Sequence, residues 1–437
     1  MSDVLRDFVK YVGSNTIGMI ATAICIIVDY WFIAMAMGTD GLAALSIGLP
    51  VYSITWGIGV MLGVGGGAKY AELQAVEEEN QANEIFTITM KLGIIVVIPL
   101  VLLGVFFGGR ISMLLGGEGD VLDMVTSYVS VLLLMSPVIV TYAIFESFTR
   151  NDDSPKAAMI SSIIFNAMNI VFDAVFIFGF GLGMLGAALA TTLACFCALI
   201  YLLAYRWFKK TGFRLVKTGI EFEQIKSICI IGLPSFNNEF LYGFIHILFN
   251  LTFFSLAGNI GVAAFGIVSS LANLSFYIFS GVGQGIQPLA SYYYGVKDKL
   301  SLKRVLNYAL ITSFGFSAII IAAVYLFTDP ITSILNTEQD AVLSYIANVG
   351  VRIYFTAYVF TGVTTIAVAF LSVTSAPKAA LVISVLQNGI IVIPLVLIMS
   401  RLFGIYGAWA SYPAAELLLV AASIYYLHQA NKVHKNL

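Results

Sequence analysis

Charge is what this chain lacks. Asp, Glu, Lys and Arg make up 11% of 437 residues, and 59% are hydrophobic. A soluble protein of this length needs more charge to cover its surface, so a water-soluble globular fold is excluded. Histidine is nearly absent: His246, His428 and His434 form no metal-ligand spacing. The four cysteines, Cys25, Cys195, Cys197 and Cys229, all fall in apolar stretches. Cys195 and Cys197 are two apart on a helix and point to nearly opposite faces, so they cannot share a metal; small buried hydrophobes is the reading they support. Strand alternation is weak, which argues against a β-barrel.

Long apolar runs are what the chain has. Twelve exceed the ~18 residues that a membrane-crossing helix needs: roughly 14–37, 42–67, 87–108, 122–146, 157–180, 185–206, 226–256, 262–286, 305–327, 342–372, 378–401 and 404–427. The first is long, carries Asp29 and has no small-residue cleavage site after it, so a retained helix is expected rather than a signal peptide. With both termini on the cytoplasmic side, all but four of the 22 Lys and Arg fall on inside loops and tails. Arg110 and Arg401 fall outside; Lys91 and Arg352 lie within spans. That bias predicts a multi-pass protein of the cell membrane with cytoplasmic termini. No basic patch for nucleic acid is present.

The two halves repeat at a nearly constant shift. Gly38-x-x-Gly41-Leu42-Ala43-Ala44 recurs as Gly258-x-x-Gly261-Val262-Ala263-Ala264, and Gly63-x-Gly65 as Gly283-x-Gly285. Ser154-Pro155-Lys156-Ala157-Ala158 recurs as Ala376-Pro377-Lys378-Ala379-Ala380, Asn166 as Asn388, and Gly183-x-x-Gly186-Ala187 as Gly404-x-x-Gly407-Ala408. Six spans per half preserve direction, so the expectation is two six-helix bundles related by a pseudo-two-fold along the membrane normal. The expected division is an N-lobe at 1–206, a cytoplasmic linker at 207–225 and a C-lobe at 226–437. Two such lobes facing a cleft suit a transporter that alternates its access.

The glycines at 57, 59, 63, 65, 66 and 67 lack the Gly-Lys-Ser/Thr ending of a phosphate loop and follow a helix, so close helix packing or a hinge is expected. Pro50, Pro99, Pro137, Pro234, Pro288, Pro394 and Pro413 fall inside spans and predict kinks. Glu146 and Lys91, near cytoplasmic helix ends, read as snorkelling side chains.

Polar residues are unevenly shared between the halves. Asp29, Asn169, Asp173 and Thr191 sit in spans of the first half. Carboxylates in hydrocarbon are costly and mark ion or substrate pathways. At 1.5 Å rise per residue, Asp29, Asp173 and Thr191 lie about 12, 10 and 9 Å from the outer ends of their spans. Asn169 is one turn from Asp173 on the same helix face. Oxygen-rich groups at one depth suit a hard cation, and two carboxylates can share a proton. The repeat maps Asp29 to Asn250 or a neighbour, Asn169 to about Ile391, Asp173 to about Leu395 and Thr191 to about Tyr412. In the second half, Glu239 and Glu416 lie near mid-membrane and could meet a cationic substrate; alternatively, Arg352 forms a buried structural pair with one of them.

Asp29 ahead of Met37-Gly38-Thr39-Asp40-Gly41-Leu42-Ala43-Ala44, followed by Gly63-x-Gly65, resembles the first two helices of multidrug and toxic compound extrusion (MATE) transporters. The most specific stretch is Asn169-x-x-x-Asp173-x-x-x-Ile177-Phe178-Gly179-Phe180-Gly181-Leu182-Gly183, followed by Gly186-Ala187-Ala188-x-Ala190-Thr191. Gly232-Leu233-Pro234 and Gly283-x-Gly285-x-x-Pro288 extend the resemblance over nearly the whole chain. It implies a V-shaped, all-α fold of twelve helices and cation-coupled export of organic, often cationic, compounds. It further implies that Asp29, Asn169, Asp173 and Thr191 form an N-lobe Na⁺ or H⁺ site. The sequence departs from the NorM-like branch, having no carboxylate in span 10 around Gly362, and is closer to a DinF-like or related bacterial branch. The expected protein is a monomeric antiporter without cofactor, its coupling ion Na⁺ or H⁺ and its partners small organic cations and membrane lipid. Glu239, Arg352 and Glu416 are its candidate substrate residues. A dedicated metabolite exporter of the same mechanism and a lipid-linked precursor flippase are the alternatives. No nucleophile–base pair or metal triad points to an enzyme.

Overall fold

The computed structural model describes residues 3–209, 212–219, 221–336, 340–374 and 376–436. Asn388, the repeat partner of Asn166, has its side chain outside the described residues, as have the residues from 431 onward. Among the described residues, ten helices are long and apolar enough to cross a membrane by themselves, and one bent pair adds an eleventh. A twelfth crossing is hidden because the helix Val392–Asn436 contains the non-helical Gly404, where it doubles back.

The crossings are α1 (Asp3–Gly38), α2 (Asp40–Ala75), α3 (Glu79–Leu114), the bent α4 (Val121–Leu134 with Ser136–Asn151), α5 (Pro155–Gly179) and α6 (Gly183–Lys209). The second lobe has α7 (Phe222–Gly258), α8 (Ile260–Gly295), α9 (Lys299–Leu335), α10 (Ala341–Ser372), α11 (377–403) and α12 (405–436). The 54° bend in α4 is at Met135, two residues before Pro137, whose ring cannot continue the helical hydrogen bonding. The result is a V of two six-helix lobes.

The repeat seen in the sequence is also a repeat of backbone geometry. Gly38 and Gly258 turn the chain with φ/ψ of 59°/−143° and 60°/−146°. Gly404 does the same at 60°/−138°, and its counterpart Gly183 has φ 53°. A side chain is strained at these angles, which explains why glycine stands at each hairpin. At the opposite end, Glu77 and Lys297, 220 residues apart, both take positive φ after the ends of α2 and α8.

The outward faces are apolar, as lipid requires: Ile94, Ile98, Leu102 and Val105 on α3, and Ile311, Phe314, Ile319 and Leu326 on α9, are exposed. Inside, each lobe has its own core. Ile33, Leu45, Val129, Leu132 and Ala198 belong to one; Phe253, Phe265, Val351 and Trp409 belong to the other.

The first turns of α1 and α7 cross over. Val4, Phe8 and Val12 of α1 pack into a C-lobe cluster with Ile286, Val305 and Ile366. Ile228 of α7, at the position equivalent to Phe8, packs into an N-lobe cluster with Leu62, Phe86 and Phe148. Glycines make the crossing tight. A Cβ on Gly281 or Gly285 of α8 would lie 2.6 Å from the Thr16 Cα or 2.7 Å from the Val12 Cα of α1. A Cβ on Gly65 of α2 would strike the Ile228 carbonyl, and one on Gly232 of α7 the Met61 carbonyl. The lobes are therefore sealed together at the end that carries the termini.

At that end, Arg150 donates to Gln284 of α8 at 2.6 Å and to Glu146 at 3.2 Å. Glu146 is thus a buried ion-pair partner and not a snorkelling side chain. Lys91 reaches out of its span to the linker, its Nζ donating to the Thr218 carbonyl at 2.7 Å. With Asn83 and Thr87, which accept from the Arg214 and Val216 amides, it holds the linker as a strap along α3.

Candidate functional site

Helices α1 and α5 run in the same direction and meet at a constant sequence offset of 144 residues. A Cβ on Gly18 would lie 3.5 Å from the Ser162 Cβ. Next along the seam, Asn166 Nδ2 donates to Thr22 Oγ1 at 3.1 Å. One turn further, the Cys25 thiol donates to Asn169 Oδ1 at 3.3 Å. One turn beyond that, Asp29 lies within hydrogen-bonding reach of Asp173. The residues on each helix are spaced by four, three and four, the interval that keeps one face of a helix against a parallel neighbour.

The seam ends in a ring of four side chains. Asn169 Nδ2 donates to Asp173 Oδ2 at 3.1 Å. Cys25 Sγ lies 3.7 and 3.8 Å from the two Asp29 oxygens. Asn169 and Asp173 are each 2% exposed, and Asp173 Oδ1 accepts no hydrogen bond among the described residues. Asp29 is half-buried. Directly after Asp173, α5 widens into a π-helical turn over Ala174–Gly179, a local irregularity that often accompanies functional sites.

Three of the four N-lobe residues singled out in the sequence are therefore brought together. Thr191 of α6 differs: its hydroxyl donates to the Ala187 carbonyl of its own helix at 3.1 Å. Thr22, Cys25 and Asn166 belong to the seam and are missing from the sequence-based set. Their signal was present in the register: counting back four, seven and eleven from Asp29 gives Cys25, Thr22 and Gly18, and from Asp173 gives Asn169, Asn166 and Ser162. Reading Cys25 as an inert buried hydrophobe overlooked this.

The C-lobe has filled the equivalent place with apolar groups. Phe249, one residue before Asn250, is fully buried and occupies the position of Asp29, while Asn250 itself is exposed. Ile391 and Leu395 pack against the same cluster.

The second-half residues are dispersed. Glu239 of α7 lies at the boundary between lobes, its Cβ 3.5 Å from where a Cβ on Gly57 of α2 would be. Phe236, nearly one turn before Glu239, has its ring 3.1 Å from the same point. Tyr52 stacks on Trp56, and Phe236 on Phe240. Glu416 of α12 is fully buried within the C-lobe and accepts from Gln387 Nε2 at 2.9 Å. Beside it is a cavity of about 70 Å³ lined by His246, Tyr358, Gln387 and Tyr412. Arg352 is exposed, and its carbonyl accepts from Tyr325. Among the described residues it forms no ion pair, so the buried Arg352–glutamate pair is not formed.

Two repeated lobes, sealed at one end and carrying an acidic pair within the membrane, define a secondary-transporter architecture. The family model described as MatE matches residues 15–175 and 234–398. The chain belongs to that family, the MATE transporters, and is a membrane transporter rather than an enzyme. It is 29% identical over 430 residues to the multidrug export protein MepA of Staphylococcus aureus (strain MSSA476), covering 97% of this chain and 93% of that one. MepA of Staphylococcus saprophyticus is 26% identical over 428 residues, with the same shares. In fold, the chain is similar to an outward-facing multidrug resistance MATE transporter of the MOP superfamily. The TM-score is 0.92 at 20% identity, covering 100% of this chain and 98% of that one.

Proposed function

We propose that the protein exports organic cations from the cell by cation-coupled antiport. The observation that carries the coupling is the meeting of Asp29 and Asp173 on neighbouring helices inside the membrane. Such a pair is costly to keep fully charged in a low-dielectric place, and a bound Na⁺ or H⁺ relieves that cost. Binding there shifts the balance between the two arrangements of the lobes 1–206 and 226–437, which is what coupling requires.

The excess of Lys and Arg on that side supports a cytoplasmic position for the sealed, terminus-bearing end. The V then opens outward, the state that takes up the coupling ion and releases substrate. The ion is Na⁺ or H⁺ at Asp29, Asn169 and Asp173, with Thr191, whose hydroxyl donates to Ala187 and keeps its lone pairs, as the fourth candidate oxygen. Glu239, at the lobe boundary with Phe236 against Gly57, offers a carboxylate beside a ring face to a planar cation. Glu416 lies beside the C-lobe cavity, which is too small for an organic cation until it opens, and Arg352 would turn cations away. Multidrug export by the MepA relatives supports this reading. The flippase alternative wants a cationic stripe along the cleft, and Lys91 is committed to the linker.

Energetics constrain the cycle. One-for-one exchange of monovalent cations cancels the electrical work, leaving about 1.4 kcal/mol per tenfold ion gradient. Strong accumulation against a gradient therefore needs a steep ion gradient or more than one ion per substrate.

The test is reconstitution with a fluorescent cation such as ethidium under imposed Na⁺ or pH gradients. Gradient-driven flux in wild type, lost in Asp173→Asn, is the expected result. Flux indifferent to both gradients, or unchanged in the variant, overturns the coupling.

A further inference from the structure

The seam between α1 and α5 contains one group whose chemistry differs from an ordinary ion site. Cys25 is 2% exposed, and its thiol proton has a choice of acceptors. The nearest is Asn169 Oδ1 at 3.3 Å, while the Asp29 oxygens are at 3.7 and 3.8 Å. A thiol has a single proton, so the shorter contact takes it. The Asn169 amide oxygen is thus turned to Cys25, and its NH₂ to Asp173 Oδ2 at 3.1 Å.

This orientation decides what the acidic pair sees. Alkali and alkaline-earth cations are held by several oxygen ligands converging on one point. With its oxygen turned to Cys25, the amide presents N–H donors to that point, and a donor repels a cation. Thr191, the other neutral oxygen expected here, keeps its lone pairs but is tied to its own helix by its hydrogen bond to the Ala187 carbonyl, so Asn169 is the neutral group that the seam itself turns toward or away from the pair. With the amide oxygen turned away, the carboxylate pair faces N–H groups, and among the described residues Asp173 Oδ1 is buried without a donor. One proton held between Asp29 and Asp173 satisfies both.

We propose that Cys25 sets the ion selectivity of the N-lobe site: by holding Asn169 with its NH₂ toward Asp173, it excludes Na⁺ and leaves the site to H⁺. Cys25 is thus a positioning residue, acting through Asn169. The proposal rests on the N-lobe coupling reading above and makes its choice of ion definite. Swapping the two faces of Asn169 requires breaking both of its contacts at once, so the thiol acts as a lock on the amide.

Two substitutions separate the donor from the packing. Cys25→Ser keeps a donor at the same place; Cys25→Ala removes it and frees the amide oxygen. The measurement is thermal unfolding of the full-length protein in detergent, in NaCl against choline chloride at equal ionic strength, paired with ²²Na⁺ retention. Wild type and Cys25→Ser are expected to show no sodium-specific rise in Tm and no ²²Na⁺ retention. Cys25→Ala is expected to gain both, and Cys25→Ala/Asp173→Asn to lose them again. In liposomes, Cys25→Ala dye flux becomes sodium-driven, while wild-type flux follows the pH gradient alone.

Sodium binding by wild type that disappears in Asp173→Asn overturns the proposal, as does a Cys25→Ala protein identical to wild type in both readouts. If Cys25→Ala does not fold, the wild-type sodium measurement still decides. Wild-type transport unaffected by Asp173→Asn is a different failure: it removes the coupling reading itself.

Discussion

Arg150 joins the two lobes through a single side chain: one arm donates to Gln284 across the boundary, and the other holds Glu146 of its own helix. Both members of the ion pair are buried. Removing one charge of a buried pair strands the other, at a cost of about 3–5 kcal/mol. Arg150→Met is expected to lose that much stability, seen as a large fall in Tm. Gln284→Ala leaves the ion pair intact and removes only the bridge, about 1 kcal/mol. Its main effect is on the seal, measured as faster labelling of a cysteine placed at the terminal end. Equal Tm losses in the two variants would contradict this division of roles.

The crossing of α2 and α7 at Gly65 and Gly232 admits no side chain. Gly65→Val and Gly232→Val are expected to keep the protein in the membrane but stop the terminal end from closing. Transport in vesicles should fall by an order of magnitude or more, with expression and helical content preserved. Gly13→Val, at a position with open space around it, is the control.

Gly38, Gly258 and Gly404 have open space where a Cβ would go, so their requirement is conformational and not steric crowding. An alanine there costs about 1–3 kcal/mol of backbone strain. Calorimetry of Gly38→Ala, Gly258→Ala and Gly404→Ala should give similar losses, because the three turns share one geometry. A loss in only one of them would argue against the shared turn.

Asp298 caps α9, accepting from the Ser301 amide at 3.0 Å. The Ser301 hydrogen bonds hold its carboxyl below the ordinary carboxylate range. The sign follows: the cap contributes above the unfolded carboxyl's titration and is lost as pH falls through the lower, folded value. Asp298→Ala should destabilise by about 1 kcal/mol near neutral pH. The gap to wild type should close in acid, as a series of Tm values against pH would show.

Much of this was readable before any coordinates. Period-free apolar runs, the 220-residue repeat and paired acids at one depth follow directly from hydrophobicity and helical rise. The merged helix Val392–Asn436 shows the limit on the structural side: twelve apolar runs were separable in sequence where helix continuity alone counts fewer. What sequence did not deliver are contacts that need two helices in register. Depth placed Asp29, Asp173 and Thr191 together, but rotation about the helix axis decides partners, and Thr191 turns its proton to Ala187. Glu146 and Lys91 looked like chain-end charges because neither Gln284 nor Thr218 is near in sequence. Cys25 was legible only once its spacing from Asp29 was compared with that of Asn169 from Asp173.

The crossed first turns of α1 and α7 have a consequence for assembly. Each six-helix half completes its packing with an arm lent by the other, Phe8 going one way and Ile228 the other. Such reciprocal exchange is what a two-fold dimer of half-length chains makes by domain swapping. Expressed alone, either half would leave a groove unfilled and an arm exposed. Expressed together as separate polypeptides, the halves are expected to trade arms and reconstitute the transporter, the linker strap serving only to keep the exchange within one molecule.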